Sequence, residues 1–468
     1  MKTTTYLALS ILTSGLLLSG CGSSSSSTET TDTSTVAATS GQLVDNYVAN
    51  VDYTCADGTT GITDENGSFE CETLPVEFHL GGLKLGQINQ IPQDTQVFPQ
   101  DLVGVARVDI NNTEVLAMAQ FLQSCDEDNN TQNGIQIKAE VKEAFKDHNE
   151  SFNADDVDAY ATDANITLIS EDEAKTHLEE TTTFVAHVNE HKQTSTQGSE
   201  KTEGEIPASI ADTLLTPAAE LTQDAKNTLA YMGNEERLAY DVYTELYNYH
   251  VEHGDGAIQQ LTNIATKSEA THIATVELLV EKYIQDLSEF SNIDRNDTGF
   301  TMADADLNAT QLPMGVYNID AIQNLHDALI EKGQQSTQDA LEVGCMVEVT
   351  DITDLTEDIA TAQESNATDI VTAFEFLRDG SYSHYWSFDK ALKDIGVEDG
   401  CCSLGDEYCH PEYPTNTQGA DGSSGSCDNA DATQTQQGDG TINEDSGKNE
   451  NPAGPQDGTG EQKGKNNK

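Results

Sequence analysis

Short apolar runs separated by turn residues occupy residues 43 to 95. Val76–Leu80 and Leu83–Leu85 are two such runs, and Gly81 and Gly82 stand between them. Runs of this length, broken at short intervals by turn residues, are typical of antiparallel strands. We therefore expect a small β-sandwich-like module in this part of the chain.

Helical spacing replaces the strand pattern between residues 108 and 190. Thr113–Leu122 and Glu171–Val188 carry apolar residues at intervals of three and four, which predicts two helices. Ser170 precedes Glu173 by three residues, as the N-cap of a helix would. The N-terminal module is thus expected over 42–191, and the polar segment 192–219 is expected to be a linker.

Four long stretches with helical spacing follow, and they cover 222–250, 256–286, 337–363 and 368–395. A shorter helix is predicted near 318–331, inside the long connection between the second and third stretches. Long helices with one long crossover are typical of the ferritin-like variant of the four-helix bundle. The sequence therefore predicts an α+β multidomain protein, in which an all-α ferritin-like four-helix bundle at 220–396 follows the N-terminal module.

Each long helix carries acidic or histidine residues on a stripe that should be apolar. These residues are Glu236 in the first helix, Glu269 and His272 in the second, Glu348 and Asp351 in the third, and His384 in the fourth. An uncompensated buried carboxylate is costly, so proteins pair it, protonate it or give it a metal. Bridging carboxylates with a histidine at either end are typical of di-iron and di-manganese bundles. The six residues are therefore candidate ligands of iron or manganese.

Two observations favour a more ordinary interpretation. A single Glu or His on an apolar stripe is often a hydrogen-bonded core residue, and 82 acidic residues place some there by chance. The set also departs from the standard pattern, because Ser381 replaces the Glu expected three residues before His384, and Asp351 follows Glu348 where a His is expected. The second ion position is thus expected to be weak, empty or replaced by a one-ion site. A non-catalytic binding or structural protein is the alternative, and enzyme activity stays open.

Six motifs carry a resemblance to a known family. They are Glu235–Tyr243, Asn263–His272, Gly315–Asn318, Asp339–Gly344, Asp351–Leu355 and Leu377–His384. Together they resemble the ferritin-like family catalogued as domain of unknown function 2202, over about residues 225 to 395. The resemblance implies a ferritin-like bundle and no particular activity. Carried over by position, it gives Glu236, Glu269, His272, Glu348 and His384 as ligands, with Asp351 as a further one.

The first twenty residues have the features of an export signal. Lys2 supplies a positive charge, and Tyr6–Leu18 is an apolar run too short for a permanent membrane span. Leu18–Cys21 resembles the lipobox of bacterial lipoproteins, which implies cleavage before Cys21 and its modification by acyl chains such as palmitate. We expect a signal peptide at 1–20, a Ser/Thr-rich tether at 21–41, and a body anchored to the cell envelope. Gly22 favours the outer membrane; an ordinary signal peptide with a chance Cys is the alternative.

The N-terminal module also resembles a module common in bacterial surface lipoproteins, for which no enzyme activity is implied. The resemblance rests on Gly61–Phe69, Leu80–Gly82, Phe98–Leu102 and Ala119–Ser124, followed by Asp126–Asp128. Side-chain oxygens recur at alternate positions from Asp126 onward, as a Ca²⁺ loop requires. The closing Glu of an EF-hand is missing, so a solvated turn is favoured over a Ca²⁺ site.

The net charge of the chain limits the kinds of partner that it can bind, and its cysteine content bears on the cell compartment in which it works. The 468 residues include 22 basic and 82 acidic side chains, with a net charge of −60, which argues against nucleic acids and anionic lipid surfaces as partners. The membrane, through the lipid anchor, and metal ions are the expected partners. Outside the cytoplasm the cysteines are expected to form disulfides.

Cys55 and Cys71 flank a turn-rich stretch, and we expect them to pair. Cys401, Cys402 and Cys409 lie in a Cys-rich extension at 397–414, where disulfides are favoured over a metal site because no standard zinc spacing is present. Neighbouring cysteines seldom pair with each other, and Cys345 is left as a partner for this segment, a soft ligand or a free thiol. Cys125 has no obvious mate, and 415–468 is expected to be a disordered tail.

Overall fold

The computed structural model describes residues 39–193, 203–254, 256–284, 313–317 and 319–415. The predicted signal peptide, Cys21, most of the predicted tether and residues 416–468 of the predicted tail lie outside these described residues. Among the helices described, none is long and apolar enough to cross a membrane.

The described residues of the N-terminal part form nine strands and five α-helices, with short 3₁₀ helices at Thr131–Asn133 and Ala154–Asp156. The strands are β1 Thr39–Leu43, β2 Val48–Ala49, β3 Asp52–Cys55, β4 Thr60–Ile62, β5 Ser68–Cys71, β6 Val76–Leu80, β7 Leu83–Ile88, β8 Gln96–Val97 and β9 Ile135–Gln136. The helices are α1 Pro99–Val103, α2 Thr113–Ser124, α3 Ala139–Ala144, α4 Val157–Ala164 and α5 Glu171–His191. Ser170 caps α5 by accepting the backbone N–H of Glu173, as predicted. The α+β class is confirmed.

The strands form three sheets, with the orders β4-β3-β6-β7, β5-β1-β8 and β2-β9. In β6, Val76, Phe78 and Leu80 are buried and the residues between them are partly exposed, which is the alternation of a strand with one face on a core. Two pairings, β1 with β8 and β2 with β9, are parallel, although the sequence predicted antiparallel strands. Parallel pairing needs a long crossover, and short runs in a sequence do not reveal which distant strands meet.

The C-terminal part is helical. Its elements are α6 Ala208–Leu214, α7 Gln223–His253, α8 Gln259–Ile264, α9 Ala270–Tyr283, α10 Asp320–Gly333, α11 Thr337–Glu364 and α12 Thr368–Asp394. Short 3₁₀ helices follow at Gly400–Leu404 and Asp406–Tyr408. Thr222 caps α7 and Ser336 caps α11 through side-chain oxygens, which explains where both helices begin. The four long helices of the sequence prediction are present within a few residues of their predicted ends.

The segment predicted to be a linker, 192–219, contains helix α6. Its residues Ile210, Ala211 and Leu214 are buried in a core that also holds Leu178 of the N-terminal part and Phe374 of the bundle. A short apolar run inside a polar segment gave too little periodicity for this helix to be predicted. The N-terminal part and the bundle therefore share an apolar core.

Three disulfides are present among the described residues. They join Cys55 to Cys71, Cys345 to Cys401 and Cys402 to Cys409, with S–S distances of 1.94, 2.02 and 2.10 Å. Cys345 is thus bonded to the Cys-rich extension, which it ties to helix α11. Cys125 is buried and free.

We expect the two C-terminal disulfides to differ in their contribution to stability. Replacing Cys345 and Cys401 with Ala should lower the free energy of unfolding by about 4 kcal/mol, and replacing Cys402 and Cys409 by about 2 kcal/mol. The reason is loop length, since the first bond joins residues 56 apart and the second joins residues 7 apart. Urea unfolding of both double variants measures the difference. An equal or larger loss for the shorter loop would contradict this entropic explanation.

Candidate metal centre

The candidate ligands lie at mid-length in the bundle, between two apolar clusters. On α7, Met232 belongs to the cluster on one side and Ala239 to the cluster on the other. On α12, Leu377 and Tyr385 are divided in the same way. A polar layer therefore crosses an otherwise apolar core at the level of Glu236, and its groups are removed from water.

The second helix of the bundle changes its winding at this layer. A π-helical turn spans Ala265–Glu269 and joins α8 to α9. Single π turns occur often at functional sites because they shift the phase of the side chains that follow. Glu269 is the last residue of this turn, and His272 lies three residues later on α9.

One group of candidate ligands consists of Glu236, Glu269 and His272. Nδ1 of His272 lies 3.0 Å from Oε2 of Glu236 and 3.2 Å from Oε2 of Glu269. The exposed fractions of these residues are 1%, 2% and 0%. One donor atom from each lies within 4.8 Å of the other two, so the three could hold a metal ion.

A second group consists of Glu269, Glu348 and His384. Nδ1 of His384 lies 3.1 Å from Oε1 of Glu269 and 3.3 Å from Oε2 of Glu348. These atoms also lie within 4.8 Å of one another. Glu269 therefore belongs to both groups, and it turns one carboxylate oxygen towards each histidine.

The electrostatics of the layer follow from burial and from these short contacts. Burial raises the pKa of Glu236 to about 7, although His272 opposes the shift. Burial alone would also raise the pKa of Glu269, but His384 and His272 outweigh it and hold that pKa below its ordinary value. For His384, burial is outweighed by Glu348 and Glu269, and its pKa rises to about 10. For His272 too, Glu236 and Glu269 outweigh burial and raise the pKa well above its ordinary value, so both histidines favour the charged form of Glu269.

Two further residues shape the site. The Tyr243 hydroxyl donates a hydrogen bond to Oε1 of Glu348 at 2.5 Å, which leaves Oε2 of Glu348 facing His384. Gly380 on α12 lies against His272, since a Cβ at this position would be 2.6 Å from Nε2 of the ring. Glycine is therefore needed for α12 to approach α9 at this level.

The sixth predicted ligand, Asp351, lies apart from both groups. Its carboxylate accepts a hydrogen bond from the hydroxyl of Ser381, the residue that replaces the Glu of the standard pattern. Burial raises the pKa of Asp351 well above its ordinary value, and the nearby carboxylates of Glu236 and Glu348 raise it further. The carboxylates of the two groups thus affect the pKa of Asp351, but Asp351 is not a member of either group.

The donor set fits a hard or borderline divalent metal. Carboxylates and imidazoles are ligands that suit iron and manganese, and the two groups contain no thiolate. Ligands about 2.0–2.2 Å from a metal lie about 3 Å apart when adjacent, close to the nitrogen–oxygen distances given above. Oε1 of Glu236 is buried and has no hydrogen-bond partner, so a donor atom is left for an ion.

The acidic loop of the N-terminal module is organised differently. Asp126 accepts backbone N–H groups from Asn130 and Gln136, both at 2.8 Å. Asp128 accepts the backbone N–H of Asn130 and the side-chain amide of Asn133. The carboxylates of Asp126 and Asp128 thus accept hydrogen bonds from their own loop.

Comparison with known proteins bears on the helical part. The model of the uncharacterized protein domain DUF2202 matches residues 225–407, which include all the candidate ligands. The uncharacterized protein MJ0754 of Methanocaldococcus jannaschii is 32% identical over 180 residues, which are 38% of this chain and 81% of that protein. The chain belongs to the DUF2202 family. A crystal structure titled hypothetical protein MJ0754 from Methanococcus jannaschii matches this chain at 32% identity, over 38% of this chain and 86% of that one, with a TM-score of 0.30.

Proposed function

We propose that the DUF2202 part of this protein binds iron or manganese at a two-ion centre in the core of its bundle. The observation that carries the proposal is the sharing of Glu269 between two buried ligand groups. One group would hold an ion through Glu236, Glu269 and His272. The other would hold an ion through Glu269, Glu348 and His384, with Glu269 bridging the two.

The residues around the ligands fit this function. Tyr243 orients Glu348, and the apolar clusters on both sides keep water from competing for the ligands. When bound, a pair of such ions supplies redox chemistry and the attraction of a Lewis acid. The chain contributes the positions of the donor atoms and an environment of low polarity.

We also propose that the protein works outside the cytoplasm on a lipid anchor at Cys21. The support is the lipobox-like Leu18–Cys21 and the three disulfides, which are typical of an oxidising compartment. Storage, sensing or oxidation of iron in the envelope would each use the same site.

A second candidate function is a binding or structural role without a metal. The observation in its favour is that the same five side chains form a continuous series of hydrogen bonds and ion pairs in the absence of an ion. Such a network would make the polar layer a structural feature of the bundle core. The two functions differ in metal content, which can be measured.

We expect the purified chain from residue 22 onward to bind about two iron or manganese ions per chain. This chain keeps β1 intact, because the strand begins at Thr39. Glu269→Ala/His272→Ala should bind almost none, and Glu375→Ala, an exposed change on α12, should bind as much as the wild type. Elemental mass spectrometry gives the content, and circular dichroism checks folding. A metal-free wild type, even after anaerobic loading with Fe²⁺, would contradict the proposal and favour the structural role.

A further inference from the structure

A cavity of about 80 Å³ lies among α7, α10 and α11, and Asp351 is part of its lining. Asp351 is less completely buried than the ligands of the two groups. Leu325 and Thr350, which also line the cavity, are exposed, so the cavity opens to solvent. The five ligands of the two groups, by contrast, are only 0–6% exposed. Asp351 is therefore the acidic group of the layer that a solute in this cavity would meet.

The wall of the cavity is mostly apolar, but it also carries acidic side chains. Leu238, Leu329 and Val347 make much of it apolar, whereas Glu235 and Asp351 add two carboxylates. Since one water needs about 10–15 Å³ of such space, the cavity has room for a cation with several of its waters.

The Cys-rich extension completes the wall of the cavity. Tyr408 contributes to the lining. The Cys345–Cys401 disulfide ties this segment to α11, and the Cys402–Cys409 disulfide closes a loop within the segment. The backbone carbonyl of Tyr408 also accepts a hydrogen bond from the hydroxyl of Tyr385 on α12. The extension thus forms a fixed part of the cavity wall.

We propose that this cavity is the route by which a divalent cation enters the centre, and that Asp351 receives the ion and passes it to the buried ligands. The inference rests on the proposed function, because it assigns an entrance to that centre. The hydroxyl of Ser381 on α12 donates a hydrogen bond to the Asp351 carboxylate, which holds this group at the cavity wall. Asp351 and Glu348 lie one helical turn apart on α11, so an ion at Asp351 is one short step from the second ligand group.

The role assigned to Asp351 concerns the rate of binding and leaves the final number of ions unchanged. The carboxyl group of Asp351 releases its proton to water in the cavity as the cation arrives, and the carboxylate replaces one of the waters of the cation. This lowers the cost of dehydration before the buried ligands take over. Removing this carboxylate should therefore slow entry. The five buried ligands stay in place and should still bind the same number of ions.

Stopped-flow absorption with Co²⁺ as the probe tests the inference on the metal-free chain from residue 22 onward. We expect Asp351→Asn to slow Co²⁺ binding at least tenfold without changing the number of ions bound. Leu325→Trp, which narrows the opening of the cavity, should also slow it. Asp354→Asn, on the same helix, and Val251→Trp, at an exposed position on α7, serve as controls and should bind at the wild-type rate.

Unchanged rates in both Asp351→Asn and Leu325→Trp would overturn the inference. A lower number of bound ions in Asp351→Asn would overturn it as well, because Asp351 would then be a ligand of the loaded centre. Failure of the wild type to bind any Co²⁺ would instead contradict the proposed function, so the two failures are distinguishable.

Discussion

Replacing Glu269 with Gln is expected to remove both metal ions, whereas Glu236→Gln or Glu348→Gln is expected to remove only one. The reason is that Glu269 contributes one oxygen to each ligand group, while Glu236 and Glu348 each belong to a single group. A glutamine keeps the size of the side chain but loses the negative charge that binds the ion. Elemental mass spectrometry on the three variants, beside the wild type, measures the ions per chain.

Comparison among the three variants separates a shared ligand from general damage to the core. All three remove one buried carboxylate from the same layer, so a loss of metal caused by unfolding should affect them alike. Thermal unfolding followed by circular dichroism shows whether each variant is folded. Equal losses in all three folded variants would mean that Glu269 is not shared between two ions.

The helices and the candidate ligands that they bring together could be predicted from the sequence because both depend on local periodicity. Glu236, Glu348 and His384 interrupt apolar stripes at helical spacing, and the structure brings all three into the polar layer. Glu269 and His272 are three residues apart on neighbouring turns, which places them on the same side of their helix. The helical pattern therefore carried information about the site as well as about the fold.

Other features of the site depend on contacts between distant elements and could not be predicted. The π-helical turn that ends at Glu269 has no clear signal in a pattern of apolar residues. Asp351 has the right spacing from Glu348 for a ligand, yet it turns to Ser381 of another helix. The hydrogen bond from Tyr243 to Glu348 likewise joins residues of two helices. Spacing along one helix gives the face of a side chain, and packing between helices decides its partner.

The apolar core shared by the N-terminal part and the bundle could not be predicted either, because it too depends on contacts between distant elements. The sequence predicted a module, a linker and a bundle as separate segments because their patterns differ. Packing nevertheless buries Leu178 of the module with Leu214 of the predicted linker and Phe374 of the bundle. Changes in pattern mark where the type of secondary structure changes, and they do not mark where one core ends and another begins.

Removing the charge of Lys282 is expected to lower the free energy of unfolding by about 3–5 kcal/mol. Nζ of Lys282 on α9 lies 2.5 Å from Oδ2 of Asp369, at the start of α12, and both side chains are at most 6% exposed. Lys282 also donates a hydrogen bond to the backbone carbonyl of Thr216, in the segment predicted to be a linker. Burial lowers the pKa of Lys282, and Asp369 opposes that shift. In Lys282→Met the Asp369 carboxylate would stay buried without its counter-charge.

A double variant shows whether the cost comes from the unpaired charge. Lys282→Met/Asp369→Leu removes both charges, so it should recover most of the stability that Lys282→Met loses, because neither group then has to be desolvated. Urea unfolding of each single variant and of the double variant at pH 7 gives the coupling between the two residues. If the losses of the two single variants simply add in the double variant, the buried pair is not the cause.

An exposed ion pair on α12, the helix that carries Asp369, provides the control. Lys390 and Asp394 form an i,i+4 ion pair on α12, with side chains 66% and 61% exposed. Lys390→Met should change stability by less than about 1 kcal/mol, because water screens both charges whether or not they are paired. The contrast between Lys390→Met and Lys282→Met isolates the effect of burial, since both changes replace one lysine of an ion pair.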